Sequence, residues 1–569
     1  MFWLFFIFVL VLASRPLAPK LAFAHPGEGR GKMSDFFSNI WVTLVAPLLV
    51  LFIGAIAATW NWPRIQRWIA ARDLPATDAS HFTIIVAELE DDDEKRSQTK
   101  HVIKALGDQF GAHTPTKAFE VIDYPKILKA GVGGPLDQRD KAAEQKGRAW
   151  LSEQNAHLLI WGSVAKADQV IRLRFLTTDN SIRGEKGYLL TETLELPSSF
   201  DGDFSEVLTG YVISLAESAF EARIPIVDVL RPFLSPMLNL SKERPATLGD
   251  NLWAKVCNAI GTVFVCFGEQ SGERIYYEHA VNAYNNALQI NKSDFPIYWA
   301  TTKNNLGIAL SKVSEISKGA QAIDLNQKSL KSMKESLQVY SKVKMPNEWA
   351  MVQNNMGAVL YSIGNQKIGK EKMAAYNSAR DAFLQSLKVR TLSEAPELWA
   401  MTNHNLGTLL STLGENTLGS KGVNILHQAK SAIEDALNIR TQSTAPLHWA
   451  MSIHNLGSVL SRLAQRSKGE TRFLHLTNSL ESYKNSLAVY NRNAMPTYWA
   501  ATQIRIGIVQ GQLGVICEGQ LAIAHLNESI KCFEYALAYY CDRGLEDETT
   551  ASRANLKRAS RLLDMKRIE

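Results

Sequence analysis

Amide side chains recur along this chain at intervals of 50 residues, each two positions before a glycine. A row of asparagine amides can bind the main chain of an extended peptide, because each amide both donates and accepts hydrogen bonds. In a second interpretation, each amide bonds to the neighbouring copy and serves the architecture alone. The row and the positions just before it comprise Asn304, Asn305, Asn354, Asn355, His404, Asn405, His454, Asn455 and Arg505. Its two histidines are expected to line the same surface and not to bind metal.

An internal repeat carries this row. Each copy has a proline, a Trp-Ala pair that starts three residues later, and a glycine eight residues after the tryptophan. Self-similarity at a fixed period predicts a solenoid, which presents one long surface and usually binds partners. A weaker copy lies upstream at Trp253, Ala254 and Gly261. The prolines are Pro296, Pro346, Pro396, Pro446 and Pro496, and the glycines are Gly307, Gly357, Gly407, Gly457 and Gly507.

Each copy is expected to form two helices. The first starts near the proline, as over 296–312, and a second glycine, such as Gly319, fits the loop that follows. The second helix carries small, bulky and small residues at spacings of four and three, which lets the two helices approach closely. These sets are Ala280/Tyr284/Ala287, Ser329/Met333/Ser336, Ala379/Phe383/Ser386, Ala429/Ile433/Ala436, Ser479/Tyr483/Ser486 and Ser529/Phe533/Ala536.

Over residues 249–545 the pattern of Leu-Gly, then small, bulky, small, then proline resembles the tetratricopeptide repeat. The copies are similar to an extended form of that repeat with a "WA…NNLG" motif. The resemblance implies an α-solenoid of about six helical hairpins, whose first helices line a groove where the asparagines bind a peptide. The polar segment 546–569 is expected to be a C-terminal capping helix.

A different pattern occupies residues 80–222 and predicts a small α/β domain with a mixed sheet. The string Leu159-Ile160-Trp161-Gly162-Ser163-Val164 resembles the N-terminal α/β module of TolB-like bacterial proteins. A proline-rich linker is expected over 223–248. The predicted strands span 81–89, 119–122, 156–164, 170–176 and 188–196, and the predicted helices span 94–110, 139–154 and 204–222.

This α/β segment shows no catalytic motif, so the chain is not expected to be an enzyme or to hold a cofactor. Asp91, Asp92 and Asp93 follow a strand and would suit a divalent cation, but capping of the next helix is the favoured interpretation. The glycine-rich loop at 131–134 does not open a helix after a strand, so it is weak evidence for phosphate binding.

The N-terminal region predicts a membrane anchor. Residues 40–60 carry no charge and are long enough to cross a bilayer core of about 30 Å. We therefore expect a transmembrane helix over 40–62, with the basic residues after it favouring a cytoplasmic C-terminal side over a periplasmic one. Residues 1–24 resemble a signal sequence, whether cleaved or retained as half of a hairpin. These features suggest a protein of a bacterial inner membrane.

Composition limits the partner classes. With 46% hydrophobic and 21% charged residues, the chain belongs with folded proteins. A net charge of +6 without a long basic run argues against a nucleic-acid partner. The five cysteines form no CxxC pair, so they are expected to be core residues in a reducing compartment.

Two hypotheses of function follow from the sequence. The first is a membrane-anchored scaffold whose solenoid groove holds a protein or peptide partner. The second is a membrane-tethered sensor or effector whose α/β domain binds a nucleotide-like ligand under control of the solenoid. An anion site at the strand ends would favour the second hypothesis. Neither hypothesis specifies an oligomeric state.

Overall fold

The computed structural model describes residues 82–113, 118–129, 136–177, 193–215, 226–246, 248–289, 292–493 and 495–568. The chain divides into two compact units, Met1–Asp73 and Leu74–Glu569, and all of these residues belong to the second. The predicted signal-like segment at 1–24, the transmembrane helix at 40–62 and the glycine-rich loop at 131–134 lie outside the described residues.

A five-stranded mixed sheet begins the described part of the chain, as the alternation of strands and helices predicts. The strand order is β2-β1-β3-β4-β5, with β1 parallel to β2 and β3 and with antiparallel pairing from β3 to β5. Every residue of β1 is buried, because helices cover both faces of the sheet. The strands are β1 (Phe82–Glu88), β2 (Phe119–Ile127), β3 (Leu158–Ala165), β4 (Val170–Thr177) and β5 (Thr193–Pro197).

The sheet and the solenoid share one hydrophobic core. Helix α2 covers one face of the sheet, while α1 and α3 belong to a core that continues into the first solenoid helices. At the seam, the Glu195 carboxylate of β5 accepts from Lys255 at 2.7 Å and from Arg172 at 3.3 Å. The helices before the solenoid are α1 (Ser97–His113), α2 (Leu136–Glu153), α3 (Asp203–Leu215) and α4 (Ile226–Lys242).

Most of the expected linker at 223–248 is instead the helix α4, so this prediction is wrong about its structure. Pro232 and Pro236 lie inside the helix, on its more exposed side. The opposite side buries Leu230, Phe233 and Met237 against the shared core. Burial of that apolar face offsets the backbone hydrogen bonds that the two prolines remove.

The described part of the solenoid consists of six helical hairpins followed by one terminal helix. Each first helix packs closely against the second helix of its own hairpin, and successive first helices also contact one another. The solenoid helices, with the odd-numbered ones from α5 to α15 as the first helices of the hairpins, are α5 (Asp250–Ser271), α6 (Arg274–Ala287), α7 (Pro296–Ile316), α8 (Gly319–Ser336), α9 (Pro346–Gln366), α10 (Gly369–Leu387), α11 (Pro396–Glu415), α12 (Gly419–Leu437), α13 (Pro446–Gln465), α14 (Gly469–Ser486), α15 (Pro496–Ile516), α16 (Gly519–Asp542) and α17 (Glu546–Ile568).

The recurring spacing of glycine and bulky residue reflects a steric fit between the two helices of a hairpin. A Cβ on Gly357 would lie 2.6 Å from the Phe383 ring, and one on Gly407 would lie 2.6 Å from Ile433. The small residues bond there as well, since Ser479 donates its hydroxyl to the Gly457 carbonyl at 2.7 Å. The predicted close approach of the two helices is therefore confirmed.

The second series of glycines begins the second helices. Gly319, Gly369, Gly419, Gly469 and Gly519 all have φ between 55° and 67°, a left-handed conformation that glycine adopts without steric cost. This explains why one residue type recurs at that turn.

Among the described helices, one, Asp250–Ser271, is long and apolar enough to cross a bilayer, and 83% of its most apolar window is buried inside the protein. Four of the five cysteines are buried and Cys541 is exposed. These thiols occupy the core positions that their sequence pattern predicts, except for Cys541.

Candidate functional site

The recurring asparagines form hydrogen bonds from one repeat to the next. Asn355 donates its amide to Asn304 Oδ1 at 3.0 Å, and Asn405 donates to Asn354 Oδ1 at 3.2 Å. Within the first pair, Asn304 donates to Asn305 at 3.2 Å. The amides of Asn355 and Asn405 thus bond to the first helix of the preceding repeat, which is the architectural interpretation of the row.

Histidine continues this ladder in the third and fourth repeats. His404 Nδ1 lies 2.9 Å from Ser452 Oγ, and its Nε2 lies 3.4 Å from the Asn455 amide nitrogen. Asn455 also donates to Thr408 Oγ1 at 3.0 Å. An Nε2 that accepts from an amide leaves Nδ1 as the donor, so the ladder requires the neutral imidazole.

Burial of the row decreases toward the C-terminus. Five of its members are buried: Asn304, Asn305, Asn354, Asn355 and His404. Asn405, His454 and Asn455 are half-buried, and Arg505 is exposed. The prediction that the whole row lines a peptide groove is therefore wrong for the five buried residues, whose polar groups are enclosed between packed helices.

An accessible surface remains on the first helices of the last two full repeats. We call it the open stripe and define it as Met451, Asn455, Ser458 and Arg462 of α13 with Ala501, Arg505, Ile508 and Gln512 of α15. These residues recur at spacings of four and three, so they share one face of each helix. Ala501 and Arg505 are exposed, and the other six are half-buried.

Positive charge dominates the open stripe. Arg462 pairs with Glu415 at 2.8 Å, whereas no carboxylate of the described residues forms an ion pair with Arg505. Burial, assisted by the charge of Arg505, lowers the pKa of His454 to about 4. The imidazole is consequently neutral at physiological pH, and the guanidinium of Arg505 is left to attract an acidic group.

A buried arginine escaped notice in the sequence. Arg390 follows α10 at a position where the next repeat carries Arg440 and three others carry Tyr340, Tyr490 and Tyr540, and it is 2% exposed. Its Nη1 donates to Thr402 Oγ1 at 3.2 Å, and no carboxylate of the described segments pairs with it. Burial lowers its pKa to about 10, so the charge persists at a free-energy cost. The sequence could have revealed this arginine, because it lies 50 residues after Tyr340 and 100 residues before Tyr490, at the same position of the repeat.

We expect Arg390→Tyr to raise the free energy of unfolding by about 1–4 kcal/mol, because it replaces a buried charge by a ring that the fold already accepts. The Tyr340 hydroxyl donates to the Ile297 backbone carbonyl at 3.2 Å, and every repeat has a carbonyl at this position that can satisfy such a ring. Chemical unfolding of the full-length chain measures the change, and Tyr340→Arg serves as the reciprocal variant. An Arg390→Tyr protein less stable than the parent would contradict this account.

The aspartates that follow β1 accept hydrogen bonds from the first amides of the next helix. Asp92 accepts from the Thr99 amide at 2.8 Å and from the Gln98 amide at 3.1 Å, and Asp93 accepts from the Ser97 amide at 2.9 Å. Both carboxylates therefore cap α1, as the favoured interpretation holds. The residues that the structure describes contain no cluster of metal-ligating side chains.

Ion pairing also occupies the carboxyl end of the parallel strands. Arg96 contacts Glu88 at 3.4 Å and pairs bidentately with Asp123. The Glu90 backbone bonds to β3 through Gly162 and Val164. Within the described part of this edge, these contacts leave the guanidinium of Arg96 engaged by carboxylates and not available to an anionic ligand.

No family model and no curated protein matches this chain. A solved circular tandem repeat protein with novel repeat topology and enhanced subunit contact surfaces aligns with 64% of this chain and 95% of its own, at 10% identity and a TM-score of 0.24. The helical tandem-repeat fold accordingly rests on the hairpins and inter-repeat contacts described above.

Proposed function

We propose that this chain is a membrane-tethered scaffold of the tetratricopeptide type that holds an acidic segment of a protein partner on the open stripe. The observation that carries the proposal is Arg505, an exposed guanidinium on the first-helix face that no described carboxylate neutralises. The amide of Asn455, whose nitrogen donates to Thr408 and whose oxygen remains an acceptor, lies with the hydroxyl of Ser458 on the same face of the preceding first helix. With Arg505 they supply a cation and side-chain oxygens that can bond to the main chain of one extended segment.

The buried ladder supports the proposal by fixing the spacing of the first helices. Repeats held at a constant distance by Asn–Asn and His–Asn bonds present their outward residues in a regular row. A surface that is organised before the partner arrives loses less conformational entropy on binding. The uncharged segment at 40–60 is the proposed tether, which would place this row at a membrane.

Charge reversal at Arg505 tests the proposal. We expect Arg505→Glu to reduce recovery of the partner from native membranes at least about tenfold, because a like charge would face the acidic segment. Lys531→Glu is the matched control, since it makes the same kind of change at an exposed position on the second helix of the same repeat. Equal recovery with the two variants would refute binding on the open stripe.

A further inference from the structure

The turns between first and second helices carry exposed apolar residues that do not pack into the core of the solenoid. Ile368 and Leu418 occupy the N-cap positions of α10 and α12, with an extended backbone and no side-chain capping bond. Residues such as Ser or Asp stabilise a helix at that position, whereas Ile and Leu do not. Their side chains are 88% and 86% exposed. The stability of the helices therefore does not explain their presence.

These residues belong to one edge of the solenoid, which we call the glycine edge and define as residues 365–373, 415–423 and 465–474. Turns of the third and fourth repeats are in contact there, since Arg466 donates to the carbonyls of Glu415 and Thr417. In the fourth repeat, Phe473 and Leu474 add further exposed apolar surface in the second turn of α14. Three successive repeats thus place apolar side chains along the same edge.

Basic residues surround this apolar row. The glycine edge holds seven lysines and arginines against three glutamates. Two of the acids are engaged by neighbouring bases, since Lys367 pairs with Glu371 at 3.0 Å and Arg462 pairs with Glu415 at 2.8 Å. The seven basic residues are Lys367, Lys370, Lys372, Lys421, Arg466, Lys468 and Arg472.

We infer that the glycine edge docks on an anionic lipid surface. Side chains that project singly from turns can enter the yielding interface of a bilayer, where basic neighbours pair with lipid phosphates. A protein partner would instead need a separate pocket for each projecting side chain. The charge of the edge complements anionic headgroups, and this contact is distinct from the open stripe and independent of the proposed partner.

Fluorescence quenching tests this inference on the full-length chain. In a Cys541→Ser background, the remaining four cysteines are buried. A bimane label is placed at Ser420→Cys on the glycine edge or at Ser443→Cys, an exposed serine at the opposite end of the same hairpin. Each protein is reconstituted in vesicles of phosphatidylcholine and phosphatidylglycerol that contain doxyl-labelled lipid as the quencher.

We expect lipid-borne quenching at position 420 to exceed that at position 443 at least about twofold in anionic vesicles. The excess should disappear in vesicles of phosphatidylcholine alone. It should also disappear in Lys370→Glu/Lys421→Glu/Lys468→Glu and in Ile368→Ser/Leu418→Ser, which remove the charge and the apolar contact in turn. Equal quenching at the two positions, or an excess that survives in neutral vesicles or in both variants, would overturn the inference.

Discussion

Replacing Gly357 by valine is expected to lower the free energy of unfolding by about 3 kcal/mol, the largest effect of a single added side chain that we anticipate. A Cβ at this position would lie 2.6 Å from the Phe383 ring and the next ring carbon would lie 2.7 Å away. The ring is buried, so it has little room to withdraw. The two helices of the hairpin would have to separate.

A matched control is available one residue away. Ala358 is exposed on the same helix, so Ala358→Val should cost only about 0.5 kcal/mol through helix propensity. Phe383→Ala alone should cost about 3–5 kcal/mol by leaving a cavity. In the double variant, the valine fills part of that cavity, and the combined loss should be smaller than the sum. Strictly additive losses in urea unfolding would show that the residues do not pack together.

Acid is expected to weaken the solenoid through His404 of the ladder and His454, which holds the same position in the next repeat and lies 3.2 Å from Thr502 Oγ1. Burial, with Arg440 and His448 nearby, lowers the pKa of His404 to about 3, and burial, with Arg505 nearby, lowers the pKa of His454 to about 4. In the unfolded chain both imidazoles gain a proton as the pH falls through about 6.5. The unfolded state then binds more protons than the folded state, so stability present above this pH is lost below it.

At about pH 5 this effect should remove about 2 kcal/mol per histidine, or about 4 kcal/mol in total. The melting temperature measured between neutral pH and pH 5 reports the loss. His404→Asn/His454→Asn is the appropriate control, because the first two repeats carry Asn304 and Asn354 at this position. The variant should lose much less stability on acidification, and an equally steep decline would assign the pH dependence to other groups.

The repeat was predictable because it rests on local steric rules. Gly357 and Phe383 must recur together wherever two helices touch closely, and a glycine such as Gly369 must recur where φ is positive. Such constraints act within one hairpin, so the spacing of residues along the sequence indicates them. The order of strands and helices before the solenoid likewise predicts the mixed sheet.

Two features were hidden from the sequence because they depend on neighbours distant along the chain. Pro232 and Pro236 suggested a linker, yet the apolar periodicity of Val229, Phe233 and Met237 prevails once the solenoid supplies a surface to cover. The spacing of Asn305 and Asn355 placed them correctly on first helices but could not show which side faced the next repeat. Their burial follows from how tightly successive first helices pack.

The central claim, that a partner lies on the open stripe, is tested most directly by photocrosslinking in native membranes. Ala501 on α15 and Ala524 on α16 are both exposed alanines of the fifth full repeat, so each can carry a benzophenone amino acid. We expect a discrete adduct from position 501, none from position 524, and loss of the adduct when Arg505→Glu is added. An adduct from both positions, or one that persists with Arg505→Glu, would contradict the account.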